Sequence, residues 1–283
     1  MCPESFESFR ESHIVKRAAA LGAASFEVVD IRDFAEGSFR AVCDSPFGGG
    51  RGLLLRAEPV YKALEVALAG ERKTGDSGQP APENVPGAVA GHGEENAADA
   101  GTRVVFLMPG GRTFSQGIAR EYAGLSHLVL VCGHYEGFDW RVLKHADERL
   151  SVGDYILTGG ELPAMTVADA VLRLLPGCLK EGSAEEESFE QGLLEYPQYT
   201  QPAVWRGEPV PEVLLSGDHG KVAAWRRAEA RRVTEAYRPD LLEGPRNGRS
   251  GPAGETAEET LGGLAGETAK QTPEIPSDGG SAG

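Results

Sequence analysis

Two glycine-punctuated segments, VCGHYEG (131–137) and SVGDYILTGG (151–160), each follow a short apolar run, and a helix-forming stretch follows the second. Glycine has no Cβ, so it admits positive φ and lets a ligand come close to bare main chain. A small molecule gripped by amides and carbonyls needs backbone of that kind. A third cluster, MPGGR (108–112), closes the apolar run TRVVFLMP (102–109). None has the G-x-G-x-x-G spacing of a dinucleotide fold or the lysine of a P-loop, which argues against a Rossmann site or an NTPase. Leu157, Pro109 and Tyr135 offer surfaces between which a flat adenine could lie while backbone reads its edges. SPFGGGRG (45–52) reads either as a surface turn or as a loop whose amides and Arg51 approach a phosphate or a base.

The titratable residues are less telling by spacing alone. Asp169 and Arg173 stand four apart on a predicted helix, the pattern of an exposed ion pair worth a few tenths of a kcal/mol. Glu185, Glu186 and Glu187 form a charge run of the sort that is usually a solvated loop. His134 and His145 lack metal-ligand spacing and read as structural. The four cysteines are scattered with no C-x-x-C pair, which argues against a zinc or disulfide scaffold and fits a reducing compartment.

Apolar strands alternating with helices must position these loops. The pattern predicts a helix over Glu4–Leu21, a strand at Phe26–Ile31, a helix from Pro59 to Gly70, and a strand at 102–109. A helix at Ser115–Ala123, a strand at Leu128–Cys132, a helix opening at Pro163 and closing at Pro176-Gly177, and a basic helix at 221–238 complete it. The order is that of an α/β fold with a mainly parallel sheet, whose ligand loops lie at the carboxyl ends of the strands. Residues 70–102, rich in Gly, Pro, Ala and Glu without periodicity, read as a flexible insertion, and everything after Leu242 as a low-complexity tail.

A net charge of −15 taken as a whole argues against a nucleic-acid binder, but its distribution points the other way. Segment 71–99 carries six acids against two bases, whereas 221–238 carries six bases against two acids. On that helix Arg226, Arg227, Arg231 and Arg232 are available to phosphates. No apolar run approaches the roughly 18–20 residues that cross a bilayer, and the polar N-terminus lacks signal-peptide order, so a cytoplasmic protein without a membrane partner is expected.

PFGGGRG, VCGHYEGFDWRV, SVGDYILTGGELPAM, LLPG, SFEQGLLEYPQYTQP and VPEVLLSGDH occur in this order. Together they resemble the bacterial tRNA (guanine-N1)-methyltransferases that modify guanosine 37, beside the anticodon. The resemblance runs from about Cys2 to Leu242 apart from 70–102. It implies a SPOUT-type α/β domain with a deep trefoil knot and a small helical C-terminal domain that grips tRNA. The implied boundaries are 1–178 for the methyltransferase domain, 179–188 for an active-site loop, 189–243 for the tRNA-binding domain and 244–283 for a disordered tail. It implies an obligate homodimer with a site shared between subunits. The methyl donor, S-adenosylmethionine, would be held by Leu107, Pro109, Gly133, Tyr135, Glu136, Val152, Gly153, Asp154, Tyr155, Ile156, Leu157, Gly159 and Gly160. Gly52, Ser183, Arg226, Arg227 and Arg231 would meet the tRNA. The family is associated with Mg²⁺, although no acidic cluster here has recognisable ligand spacing.

The same resemblance assigns Arg173 to the guanine and a carboxylate immediately before Ser-Phe as general base. Guanine N1 is protonated at neutral pH and must lose that proton to attack a methyl group. The family has aspartate at the base position; here it is Glu187, one methylene longer, in a loop that is one residue shorter. Family members also begin with an apolar strand before the segment matching Cys2-Pro3-Glu4, from which an upstream start codon is expected. Two rival readings are a non-enzymatic tRNA-binding relative and a SPOUT ribose 2′-O-methyltransferase. The cofactor loops argue against the first and the C-terminal motifs against the second.

Overall fold

A computed structural model describes residues 2–35, 41–74, 101–180, 187–190 and 192–243. Ser183, segment 75–100 and tail 244–283 lie outside the described residues. The chain divides into two compact units with a boundary between 191 and 192.

The first unit is built on a run of apolar residues that cannot face water on either side. Val104, Val105, Phe106 and Leu107 of β3 (Thr102–Thr113) are all buried. β3 is the middle strand, parallel to β4 (His127–Cys132) on one edge and to β5 (Glu148–Ser151) on the other. Because side chains alternate along a strand, β3 feeds two cores. Val104 and Phe106 pack with Val60 and Leu64 of α3 (Ala57–Thr74). Val105 and Leu107 pack with Ile118 and Tyr122 of α4 (Gln116–Ala123) and with Val167 and Val171 of α5 (Glu161–Leu172). This is the expected α/β architecture with a parallel sheet.

Several boundaries differ from the sequence reading. The predicted first helix is three pieces: a 3₁₀ turn at Pro3–Phe6, α1 (Glu7–Arg10) and α2 (His13–Ala20). Ser12 breaks it by taking the extended conformation that serine favours before a helix start. Phe26–Ile31 makes no ladder; Phe26 instead packs edge-on to Phe9 with ring centroids 5.3 Å apart, and Ile31 opens a 3₁₀ turn. A cavity of about 380 Å³, walled by Val28, Leu128, Leu130 and Ala164 among others, separates that segment from β4. α3 continues past Gly70 to Thr74, so helix occupies the start of the predicted insertion. α5 begins two residues before Pro163, which costs nothing because first-turn N–H groups have no intrahelical acceptor.

β3 does not end at Pro109. Its register against β5 jumps from Leu107↔Leu150 to Arg112↔Leu150, so Met108–Gly111 bulges out before Arg112 and Thr113 rejoin the sheet. Gly111 is obligatory there, since a Cβ would strike the backbone of Arg149 and Leu150. β1 (Cys43–Asp44) and β2 (Leu54–Leu55) form a separate antiparallel pair.

The second unit holds the hairpin β6 (Val204–Trp205) and β7 (Glu208–Pro209), the short α6 (Glu212–Leu215) and the long α7 (His219–Tyr237). Arg206 and Gly207 turn the hairpin with φ of 52° and 87°, the left-handed pair that a tight turn requires. Asp218 caps α7 by accepting from Lys221 N–H at 3.1 Å. No helix among the described residues is long and apolar enough to cross a membrane.

Candidate active site

β4 and β5 deliver the two glycine loops to the same edge, and main chain joins them. Gly160 N–H donates to Gly133 O at 2.8 Å, and His134 and Gly159 form an isolated antiparallel bridge. The approach leaves no room for side chains. A Cβ on Gly160 would stand 2.7 Å from Cys132 Cα and 2.8 Å from Gly133 N, and one on Gly133 would stand 2.9 Å from the Phe138 ring. Ser151 Oγ donates to Gly153 O at 3.0 Å and fixes the start of the second loop. Gly153 has φ 151°, and a Cβ there would lie 2.5 Å from the Tyr155 ring.

Further segments converge on this crossing. Leu107 lies in register with both Cys132 and Leu150, between the two loop-bearing strands, while Pro109 is exposed on the bulge. Glu136 N–H donates to Leu53 O at 3.1 Å, and Leu55 N–H donates to Gly137 O at 2.9 Å. Gly52, at φ 86°, is thereby pressed on Glu136, whose Cγ would be 2.5 Å from an added Cβ. Tyr135, Asp154, Tyr155, Ile156 and Leu157 are exposed around the crossing, and Val152 is half-buried.

His134 links the first loop to α5. Its Nε2 lies 2.6 Å from Glu161 Oε1, tying one loop to the first residue of α5. Glu161 also accepts from Cys2 N–H at 3.3 Å. Cys2, His134 and Glu161 place one potential ligand atom each within 4.8 Å of one another. A thiol, an imidazole and a carboxylate do not make the all-oxygen shell that Mg²⁺ prefers. Burial, and then the charge of Glu161, push the Cys132 thiol up to about 12, so it stays protonated and is no nucleophile at neutral pH.

The carboxylate–arginine pair is built differently. Arg173 is the C-cap residue of α5, and its Nη2 donates to Glu187 Oε1 at 2.5 Å. The hydrogen bond with Glu187 raises the Arg173 pKa further above its ordinary value. Arg173 is thus paired with Glu187 rather than with Asp169, the partner that helical spacing suggested. The pair stands at the far end of α5 from Gly160. At 1.5 Å rise per residue the separation along the helix is about 20 Å.

In the second unit, Arg226 lies over the Tyr196 ring, 4.8 Å from its centroid. Arg231 Nε donates to Glu235 at 3.0 Å, and Arg232 to Glu229 at 2.9 Å; Arg227 is exposed. The basic face of α7 is therefore laced with acids at helical spacing, which holds its guanidinium groups in place.

Three acids were not singled out from sequence. Glu161 carries the one signal that was legible, an acid at the first position of a helix, where the dipole favours it. Glu148 accepts from Tyr122 Oη at 2.9 Å and braces β5. Glu190 bonds Gln116 at 3.1 Å and Arg120. Neither has a local pattern that marks it.

Bare main chain at one end of a helix suits a small group donor, and an arginine with a carboxylate at the other suits an acceptor that must lose a proton. A group-transfer enzyme is the class so defined. Residues 1–76 and 82–244 match the family model described as tRNA (Guanine-1)-methyltransferase TrmD, which leaves out far less of the segment 70–102 than the sequence reading did. A tRNA (guanine-N(1)-)-methyltransferase of Desulforudis audaxviator is 47% identical over 245 residues, covering 86% of this chain and 88% of that one. Those of Heliobacterium modesticaldum (48% over 244 residues; 86% and 82% covered) and Dehalococcoides mccartyi (45% over 243; 85% and 87%) are similar. The chain belongs to the tRNA (guanine-1)-methyltransferase family.

Proposed function

We propose that this chain transfers the methyl group of S-adenosylmethionine to N1 of guanosine 37 in tRNA, and that it does so as a homodimer. The sulfonium supplies an electrophilic methyl and leaves neutral. The crossing at Gly133, Gly159 and Gly160 fits a nucleoside-bearing donor, because its glycines leave amides and carbonyls uncovered in a space where a Cβ would not fit. Tyr135 and Leu157 offer the adenine its flanking surfaces. The trefoil knot expected of the family belongs to the same reading.

Glu187 takes the N1 proton through its carboxylate, so that the N1 lone pair can attack the methyl carbon. As that proton leaves, negative charge grows on O6, where the Arg173 guanidinium stabilises it until methyl transfer to N1 neutralises it. In the structure these two side chains already touch, which sets the distance between base and stabiliser before the guanine enters.

The observation that carries the dimer is the length of α5. Its twelve residues place Gly160 and Arg173 at opposite ends. A donor held at one end cannot meet, in the same copy, an acceptor held about 20 Å away at the other. Loops of one copy facing Arg173 and Glu187 of a second would solve this. Exposed Ile156, Leu157 and Leu162, in one short stretch, supply apolar surface for such a contact. The cationic face of α7 serves tRNA phosphates through Arg227 and Arg231, with Arg226 stacked beneath.

Methylation of unmodified tRNA transcripts carrying guanosine or adenosine at position 37 tests the reading, with mass spectrometry of the digested product. N1-methylguanosine formed from the guanosine transcript alone is the expected result. No transfer, or a 2′-O-methyl nucleoside, would overturn it.

A further inference from the structure

We infer that Glu190 is a positioning residue for this reaction: by fastening the Glu187–Glu190 turn to α4, it holds Glu187 at Arg173. The inference rests on the reading of Glu187 as base. Glu190 N–H donates to Glu187 O at 3.3 Å, closing the turn. Phe189 inside it has φ 76°, a left-handed conformation that a bulky side chain adopts only where its surroundings impose it.

The Glu190 side chain, only 13% exposed, is one such constraint. Its Oε1 accepts from Gln116 Nε2 at 3.1 Å, and its other oxygen is paired with Arg120. Gln116 and Arg120 are four residues apart, so they present both donors from one face of α4. α4 in turn cannot shift, because Ile118, Ala119 and Tyr122 are buried in the core beside β3. A rigid path therefore runs from the sheet through α4 to Glu190 and back along the turn to Glu187.

The path matters because Glu187 itself is loosely held. Its side chain is 29% exposed and bonds the tip of Arg173, a long side chain that is 28% exposed. Glutamate also has one more rotatable bond than aspartate. A base on two mobile side chains needs its backbone fixed, since a displacement of about 1 Å can cost about a hundredfold in rate.

The test is single-turnover methylation of a guanosine-37 transcript by the intact parent and by Glu190→Ala, Glu190→Gln and the swapped pair Glu190→Arg/Arg120→Glu. Glu190→Ala should lower the transfer rate about 10- to 100-fold and the melting temperature by only a few degrees, leaving KM for tRNA and donor unchanged. Glu190→Gln keeps the acceptor for Gln116 and should fall between. The swapped pair should recover most of the rate; if it does not fold, hydrogen exchange at the backbone N–H of position 190 in the alanine variant, expected to quicken, replaces it. Parent-like transfer by Glu190→Ala, or a loss confined to KM, overturns the inference. Should Glu190→Ala be parent-like while Glu187→Gln is inactive, the clamp fails and the base stands. Should Glu187→Gln itself be parent-like, the base fails and the clamp with it.

Discussion

The two ends of α5 hold their chemistry by opposite means. At the N-terminal end, Gly133, Gly159 and Gly160 meet main chain to main chain, and an added Cβ would strike backbone at Gly160 and the Phe138, His134 and Glu161 side chains at the other two. At the C-terminal end, Arg173, Glu187, Glu190, Gln116 and Arg120 meet through long side chains. Backbone contacts fix shape and tolerate no change of size. Side-chain contacts tolerate a change of length when the chain behind them is re-anchored. The contrast suits glycines at one end and, at the other, a glutamate where the resemblance implies an aspartate.

The largest effect is expected where both ends are broken in separate copies. Gly153→Ala strains a φ of 151° and puts its Cβ against the exposed Tyr155 ring, a distortion confined to one surface loop, so the protein should fold while losing donor binding. Glu187→Gln should bind donor normally and lose about 10²- to 10⁴-fold in transfer. Equilibrated together, the two inactive proteins should regain about a quarter of parental activity, because half the dimers are mixed and each holds one intact site. No recovery on mixing would place both ends of α5 in one site and end the shared-site reading.

Gly160→Ala sharpens the same contrast. Its Cβ would meet Cys132 Cα and Gly133 N at under 3 Å, so the loops must part. Titration calorimetry should show no donor binding, and overpacking should lower stability by about 1–3 kcal/mol. Glu187→Asp addresses the other end. Removing one methylene retracts the carboxylate from Arg173, and transfer should fall about 10- to 100-fold without loss of donor affinity. A Glu187→Asp protein faster than the parent would mean that the shorter loop does not compensate for the longer side chain.

Much of the glycine-loop end was legible because glycine clusters, apolar runs and helix stops are local signals. The strand–loop–helix order around Gly133 and Gly160 needed only periodicity and the absence of a Cβ. The acceptor end was not legible in that way. Spacing offered Asp169 as the partner of Arg173, since they share a helix face, and nothing local reveals that Glu187, fourteen residues on, takes that place. The resemblance to a family named Glu187, whereas Glu190 left no trace in sequence, because its partners lie 70 and 74 positions earlier on α4. The missed pairing of Phe26–Ile31 has a related cause: alternation marks a half-buried strand but does not supply the neighbour that a ladder needs.

Tyr122 provides the smallest and most selective test, because it braces β5 without touching either end of α5. Its hydroxyl donates to Glu148 Oε2 at 2.9 Å, while Arg103 and Arg112 lie 3.4 and 3.6 Å from the same carboxylate. Tyr122→Phe therefore removes one hydrogen bond and leaves the charge paired, at a cost of about 1–2 kcal/mol. Burial first, and then the bond to Glu148, raise the phenol pKa above its ordinary value. A group whose folded pKa is raised contributes stability in full below its unfolded pKa, near 10 for tyrosine, and loses it as pH climbs above that. Thermal melts should thus place Tyr122→Phe below the parent by the same few degrees at pH 7 and pH 9, with the gap narrowing above about pH 10. Donor affinity should stay at the parental value throughout, since the loop crossing at Gly160 is held by its own backbone; a weakened affinity would show that β5 transmits strain into the crossing and that its rigidity is borrowed.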